Sequence, residues 1–251
     1  MTEELMAKEN VGTPTADCST CPHREDRLKS GRCNPGDVCV RAMSGRQIAR
    51  FFQFNPDLAE VYAGDEFWER RAIAARYLSQ QRLLQMLDDP DEVVRRVLAY
   101  RIPVDQLQPL INDPDREVRI TVADRLPIEL LENMVKDEDY MVRHMVAKRI
   151  LPGRLFRMIL DPDRDVRKTV ASRLPVESIG LMMNDSAPEV RLVVAERHDK
   201  DGLEPLLSDS DWRVRLVACQ RVPVKLLPQM LDDEDDDVRH VAEERLSEQQ
   251  D

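Results

Sequence analysis

Four cysteines stand close together near the start of the chain, as Cys18-x2-Cys21-x11-Cys33-x5-Cys39. Two close pairs of sulfur ligands can surround one metal centre, and Pro22, Gly31, Pro35 and Gly36 permit the tight turns this needs. Thiolates suit either a tetrahedral zinc ion or an iron–sulfur cluster. The first pair serves both, and the second is looser than the CxxC of a zinc ribbon, so spacing alone leaves the two open. His23 lies beside the first pair and could replace one cysteine as a ligand, though a histidine so placed is more often just a neighbour. Elsewhere no Gly-rich phosphate loop or Ser/His/Asp set stands out, and His144, His198 and His240 are scattered. The chain reads as a non-enzyme.

The bulk properties narrow the setting. A net charge of −11 argues against a nucleic-acid footprint, which is normally basic. Residues 1–10 lack the basic and apolar regions of a signal peptide, and no apolar run approaches the ~18 residues that span a bilayer. The expected location is the cytoplasm, with no membrane association. In that compartment clustered cysteines are metal ligands before they are disulfides.

The elements that must carry this module announce themselves by a period of 24 residues. Arginine recurs at Arg71, Arg95, Arg119, Arg143, Arg167, Arg191, Arg215 and Arg239, with an aspartate six positions before each, from Asp65 and Asp89 to Asp233. A second arginine column runs from Arg101 to Arg245, broken only by Tyr77. Such self-similarity marks a repeat array, in which each unit buries its apolar face against its neighbours.

In the unit Asp89–Asn112, Asp89 is expected to cap a helix whose first turn holds Pro90, and Pro103 to end it. On a helical wheel Val94, Leu98, Ala99 and Ile102 flank Arg95, so the arginine projects from the middle of the apolar arc. A shorter segment follows, carrying Leu107, Leu110 and Ile111, with room for two α-turns or a 3₁₀ stretch. No strand pattern appears. An alanine column (Ala75, Ala99, Ala123, Ala147, Ala171, Ala195) sets the approach of successive helices. It becomes Cys219, a small packing residue, and then Glu243, whose charge suits the polar outer face of a terminal repeat.

A buried arginine needs a partner. The matched columns predict a structural ladder of Asp89, Arg95, Asp113, Arg119, Asp137, Arg143, Asp161, Arg167, Asp185, Arg191, Asp209 and Arg215, each aspartate capping its own helix and bonding an arginine of its own or an adjacent unit. The competing reading is an arginine row for phosphate, but the flanking columns, such as Arg96, Ile120, His144, Lys168, Leu192 and Leu216, form no basic stripe. The expected organisation is a flexible tail at 1–17, a four-cysteine module at 18–43, an aromatic-rich cap at 44–64 and an eight-unit array at 65–251. In the cap, Phe51, Phe52, Phe54 and Tyr62, with Phe67 and Trp68 just beyond, seal the array and seat the module.

This combination of a cysteine cluster with DPDxxVRxxVAxRLPxxxLxxL repeats resembles the leucine-rich repeat variant (LRV) proteins that carry an iron–sulfur cluster; the repeats alone are also similar to HEAT-type repeats. The resemblance runs from Cys18 to the C-terminus. It implies an all-α, right-handed superhelical solenoid in which α-helices alternate with short 3₁₀ or α segments. It also implies a [4Fe–4S] cluster on Cys18, Cys21, Cys33 and Cys39, in place of zinc. The family's link with nitrogen-fixing bacteria suggests a redox setting and supplies no activity. Departures are Arg70, where the other repeats have valine, and Asp199 and Ser247, which replace the proline seen at Pro103, Pro127, Pro175 and Pro223. The expected function is a non-enzymatic scaffold for a protein partner, with a redox-active or redox-sensing cluster. An electron-transfer subunit of an oxidoreductase is the alternative, and nucleic-acid binding on the curved face ranks behind both.

Overall fold

The two aspartates of each Asp-Pro-Asp turn divide two tasks between them, and this division builds the repeat. The computed structural model of the chain describes residues 15–248. The expected tail at 1–17 therefore lies mostly outside the described residues. Helices α1 (Gly45–Phe54), α2 (Ala59–Tyr62), α3 (Trp68–Ala74), α4 (Gln80–Leu84), α5 (Glu92–Arg101) and α6 (Arg116–Arg125) belong to a first compact unit that ends at Arg125. A second unit begins at Leu126 and holds α7 (Tyr140–Arg149), α8 (Arg164–Arg173), α9 (Pro188–Arg197), α10 (Trp212–Arg221) and α11 (Asp236–Ser247).

The helix cap is the second aspartate of the turn, not the first. Asp91 accepts from the Val93 N–H and Asp163 from those of Asp165 and Val166, with Asp139, Asp211 and Asp235 in the same role. The expected assignment of Asp89 as the cap, with Pro90 inside the helix, is thus off by two residues. The first aspartate is free of that duty because the arginine of the preceding repeat takes its carboxylate. Arg95 Nε and Nη2 grip Asp113 at 2.8 and 2.9 Å, and Arg143 grips Asp161 at 2.7 and 3.0 Å. Arg71–Asp89, Arg167–Asp185, Arg191–Asp209 and Arg215–Asp233 repeat the bidentate geometry. Each of these arginines also turns Nη1 back onto its own repeat, as Arg95 does to the Asp89 carbonyl at 2.8 Å. Arg119 donates likewise to the Asp113 carbonyl at 2.8 Å, and Asp137 accepts from the Asp139 N–H at 2.9 Å. Within each compact unit the ladder therefore joins adjacent repeats, and the guanidinium donors that a phosphate row would need are taken by aspartates and carbonyls.

The second arginine column works in the opposite direction. Arg101 donates to the Ala75 carbonyl at 3.2 Å, Arg173 to that of Ala147 at 2.5 Å and Arg245 to that of Cys219 at 2.6 Å. These acceptors sit in the last turn of the preceding helix, where carbonyls lack partners within the helix and a cation is favoured by the dipole. The alanine column is fully buried at Ala75, Ala99, Ala147, Ala171 and Ala195, as is Cys219, while Glu243 is exposed. Val94, Leu98 and Ile102 are likewise inaccessible, and each such side chain contributes roughly 1.5–3 kcal/mol by burial.

After each helix the chain extends at Pro103, Pro127, Pro175 and Pro223, and winds into 3₁₀ helix, as at Ile128–Met134 and Val176–Met182. The same extended φ/ψ is adopted by Leu151 and Asp199, so the position requires the conformation and not the imino ring. The buried positions are compatible with this winding. Leu131 with Met134, Leu155 with Met158, and Ile179 with Met182 are three apart, which matches three residues per turn. Only the first repeat uses an α-turn, α4, capped by Ser79. Among the described residues there is no strand, and no helix is long and apolar enough to cross a membrane.

Arg143 and Asp161 are the pair best suited to a test of the ladder, both being buried. Replacing either by alanine should lower stability by roughly 3–5 kcal/mol, because the abandoned charge stays desolvated. The double replacement should cost less than the sum, which a double-mutant cycle by denaturant titration would measure; additive effects would refute the pairing. Ala147→Glu should be far more damaging than changing the exposed Glu243.

Acid should act on the same network. The Arg213 side chain, with backbone donors, lowers Asp211 to about 2. Burial pushes Asp233 up, yet bonds from Arg215 and the Asp235 N–H hold it below the usual carboxylate range. Both folded values lie below the unfolded value, so their stabilisation is complete above about pH 4–5 and is lost as pH falls through the folded values. The unfolding midpoint of the second unit should decline below about pH 4 and change little from there to neutrality as far as these two groups decide it.

Candidate metal centre

Each cysteine pair is closed by its own short turn. The Cys21 N–H bonds the Cys18 carbonyl at 3.3 Å. Cys33 and Cys39 flank a five-residue loop closed by reciprocal bonds between Asn34 and Val38, at 2.7 and 2.8 Å. The Asn34 side chain tightens this loop by accepting from the Gly36 N–H at 3.0 Å. That turn explains the x5 spacing, because the two residues just inside the cysteines are paired across it. Between the pairs, Arg24–Leu28 forms a single π-turn, and Gly31 (φ +73°) takes the left-handed conformation that side chains disfavour.

Two further links hold the pairs against each other. The Ala16 N–H reaches the Pro35 carbonyl at 3.3 Å, and Arg41 donates to the Thr20 carbonyl at 3.2 Å. All four thiols are unbridged and within one another's electrostatic reach. Burial first, and then Cys39, Cys21 and Cys18, push the Cys33 thiol up to about 11; burial, Cys39 and Cys21 raise Cys18 in the same way. Among the described residues no three His, Cys, Asp or Glu side chains close around a single-ion position. The set is thus gathered, with Cys33 and Cys18 favoured as thiols. Metal binding would release the thiol protons and supply the positive charge that gathered thiolates require. Four soft sulfur donors on one small loop module fit an iron–sulfur cluster in donor type and number.

The cap seats this module. Ile48, Phe51 and Phe52 on α1 are completely enclosed, and Phe52 meets Phe51 and Tyr62 edge-on at 5.6 Å. Phe54 is exposed and Trp68 partly so, so neither shares the interior role expected of them. The Cys39 N–H bonds the Gln47 carbonyl at 3.2 Å, the Asn55 amide bonds the Arg32 carbonyl at 3.0 Å, and Arg27 pairs with Asp57 at 2.6 Å.

His23 is part of this seat and not a ligand. Its Nε2 lies 2.7 Å from the Tyr62 hydroxyl, and its ring packs 5.5 Å from Phe51. Burial lowers the histidine pKa and raises that of Tyr62 to about 12. In the neutral tautomer with its proton on Nδ1, which faces Asp26 at 4.0 Å, the imidazole accepts a hydrogen bond from the Tyr62 hydroxyl at Nε2. Cys219 lies outside the module, buried, with its thiol directed at the Val238 carbonyl at 3.8 Å. Sequence reading did not foresee the roles of Asn55, Arg41 and Tyr62. Each joins points far apart in the chain, and only Tyr62 carried a signal, as part of the aromatic cluster.

The second unit has a groove of about 400 Å³ lined by Tyr140, Met141, His144, Lys168, Thr169 and Val193 among others. His144 Nδ1 and the Thr169 hydroxyl are 3.1 Å apart there.

The geometry can be set beside known proteins. A family described as "LRV protein FeS4 cluster" matches residues 11–61, and one described as "Leucine rich repeat variant" matches residues 68–91. A Rhodobacter capsulatus protein, "Uncharacterized 27.7 kDa protein in nifB 3'region", is 38% identical over 87 residues, 35% of this chain and 35% of that protein. The match thus spans about a third of that relative. A solved structure, "a leucine-rich repeat variant with a novel repetitive protein structural motif", is 55% identical and aligns with a TM-score of 0.87. It covers 93% of this chain and 100% of its own.

Replacing His23 by phenylalanine should keep the ring packing and leave the Tyr62 hydroxyl buried without its partner, at a cost of about 1–3 kcal/mol. Amide exchange should rise in residues 15–43 and stay unchanged in α5 and α6. Equal protection of the module in the variant would show that the bond does not seat it.

Proposed function

Because the chain belongs to the leucine-rich repeat variant family, we propose that it is a non-enzymatic interaction scaffold bearing a redox-active or redox-sensing [4Fe–4S] cluster held by Cys18, Cys21, Cys33 and Cys39. The observation that carries this reading is one four-thiol module, built from two hydrogen-bonded turns and seated on the cap of a repeat array. The match of residues 11–61 to an iron–sulfur cluster domain supports the cofactor, and the whole-length likeness to a repeat protein supports the scaffold. When bound, the cluster supplies one-electron exchange. The chain's own residues supply the thiols and the turns that gather them, with Val38, Val40 and Ala42 buried in the same segment. Within each compact unit the repeats offer a protein partner a surface whose local geometry is set by paired charges. This leaves an electron-transfer subunit as the second reading, favoured by the same module if the partner proves to be an oxidoreductase.

Protein purified without oxygen should contain about four irons and four sulfides and show the brown charge-transfer absorption of such a centre. Serine at Cys18, Cys21, Cys33 or Cys39 should bleach or destabilise it, whereas Cys219→Ala should leave iron and sulfide unchanged. Stoichiometric zinc without sulfide would overturn the cluster assignment. Potentiometric titration, with capture of partners by the oxidised and reduced forms, separates the roles. Redox-dependent capture supports sensing, and electron delivery to a captured enzyme supports transfer. Strong salt-dependent binding of DNA or RNA would replace both.

A further inference from the structure

Asp65 opens the aspartate column, and the position eighteen residues earlier is Gln47, which has no guanidinium to give it. The missing rung is filled from an unexpected place. Where the later helices carry the fully enclosed Val94, Val118, Val142, Val166, Val190, Val214 and Val238, α3 carries Arg70. Its Nη1 reaches the two Asp65 carboxylate oxygens at 3.1 and 3.4 Å, and its guanidinium lies 5.4 Å from the centre of the Phe67 ring. The same guanidinium donates through Nε to the Val40 carbonyl at 2.7 Å. Val40 is buried and directly follows Cys39.

From Asp65 the bonded path continues into the array. The Asp65 carboxylate holds the Phe67 N–H at 2.9 Å, at the start of α3, and its carbonyl takes Arg71 Nη1 at 2.8 Å. Arg71 grips Asp89, whose carbonyl takes Arg95, which grips Asp113. One unbroken chain of hydrogen bonds thus runs from the residue after Cys39 through the ladder of the first unit.

We propose that Arg70 is a positioning residue that couples the Cys39 side of the metal module to the first rung of the repeat array. Through it the array holds the module in shape, and loss of the cluster is felt at Asp65 and α3 before any later repeat. The substitution that looks like a lapse in the repeat is the joint between the two parts. This rests on the reading of Cys39 as a cluster ligand.

The test is Arg70→Val, which installs the residue that the other repeats carry, beside Arg70→Lys and Asp65→Asn. In the full chain, the Arg70→Val protein should keep the helical content of the parent by circular dichroism. Its cluster should bleach about tenfold faster in a ferrous chelator, the scale of one lost charge-assisted hydrogen bond. The electron paramagnetic resonance of the reduced cluster should broaden or shift. Stripping the cluster should raise amide exchange in α3 of the parent but add little in Arg70→Val, where the connection is already cut. Lysine should restore part of the protection, because it can reach one acceptor but lacks the planar fork. A loaded Arg70→Val protein with parental bleaching, resonance and α3 response to stripping would overturn the proposal. If that variant fails to fold, Asp65→Asn decides by the same measurements. A parent chain without iron and sulfide would instead overturn the cluster reading on which the proposal stands.

Discussion

A guanidinium placed inside an apolar arc must leave most of its hydration behind, and everything in this fold is arranged around making that tolerable. Desolvating either member of an ion pair costs several kcal/mol, recovered only when geometry is good and the remaining donors are satisfied. Here Arg95 uses Nε and Nη2 on the Asp113 carboxylate and Nη1 on the carbonyls of Asp89 and Pro90, so its donors are spread over three acceptor groups. The planar fork and the carboxylate match as lysine could not. One added residue between arginine and aspartate would rotate the acceptor out of that plane. This is why the 24-residue period admits no drift while surface positions vary freely.

The ladder also explains the small and branched residues around it. Within each compact unit, arginines cross the interfaces between successive helices, forward to an aspartate and back to an alanine-column carbonyl. The space left between helices then admits alanine, valine or cysteine. Cys219 belongs to that requirement and not to metal chemistry. The apolar columns provide burial without register, since valines slide past one another at little cost. The polar columns provide register, since a bidentate pair has one good geometry.

The cysteine module lives by different physics. It buries few apolar side chains, notably Val38, Cys39, Val40 and Ala42, too little to order a loop segment of this length alone. It is held by turns, by the aromatic face of α1 and by bonds to Tyr62, Asn55 and Arg70. Burial and the neighbouring sulfurs raise the cost of ionising Cys33 and Cys18. A metal centre removes that cost, so binding and ordering of the module are linked.

The sequence alone determined whatever repeats. A residue that recurs every 24 positions is read many times over, so the helices, their proline exits, the buried leucine column and the pairing of Asp with Arg were all visible. The CxxC pair and the turn residues likewise identified a metal module, because ligand spacing is a local property. Tertiary structure decided what occurs once or depends on direction. Nothing in the period says that an arginine grips the carboxylate of the aspartate eighteen ahead and not that of the one six behind. Nothing says that the second aspartate of the turn is the cap, since both have the right chemistry. The 3₁₀ winding had to await burial, which showed that Leu131 and Met134 face inward together. His23 was taken from ligand candidate to structural partner by Tyr62, 39 residues away, and Arg70 from irregularity to joint by Val40. Such contacts close loops between unique points of the chain. They leave no pattern in one dimension, because their specificity lies in where the folded backbone brings two groups together.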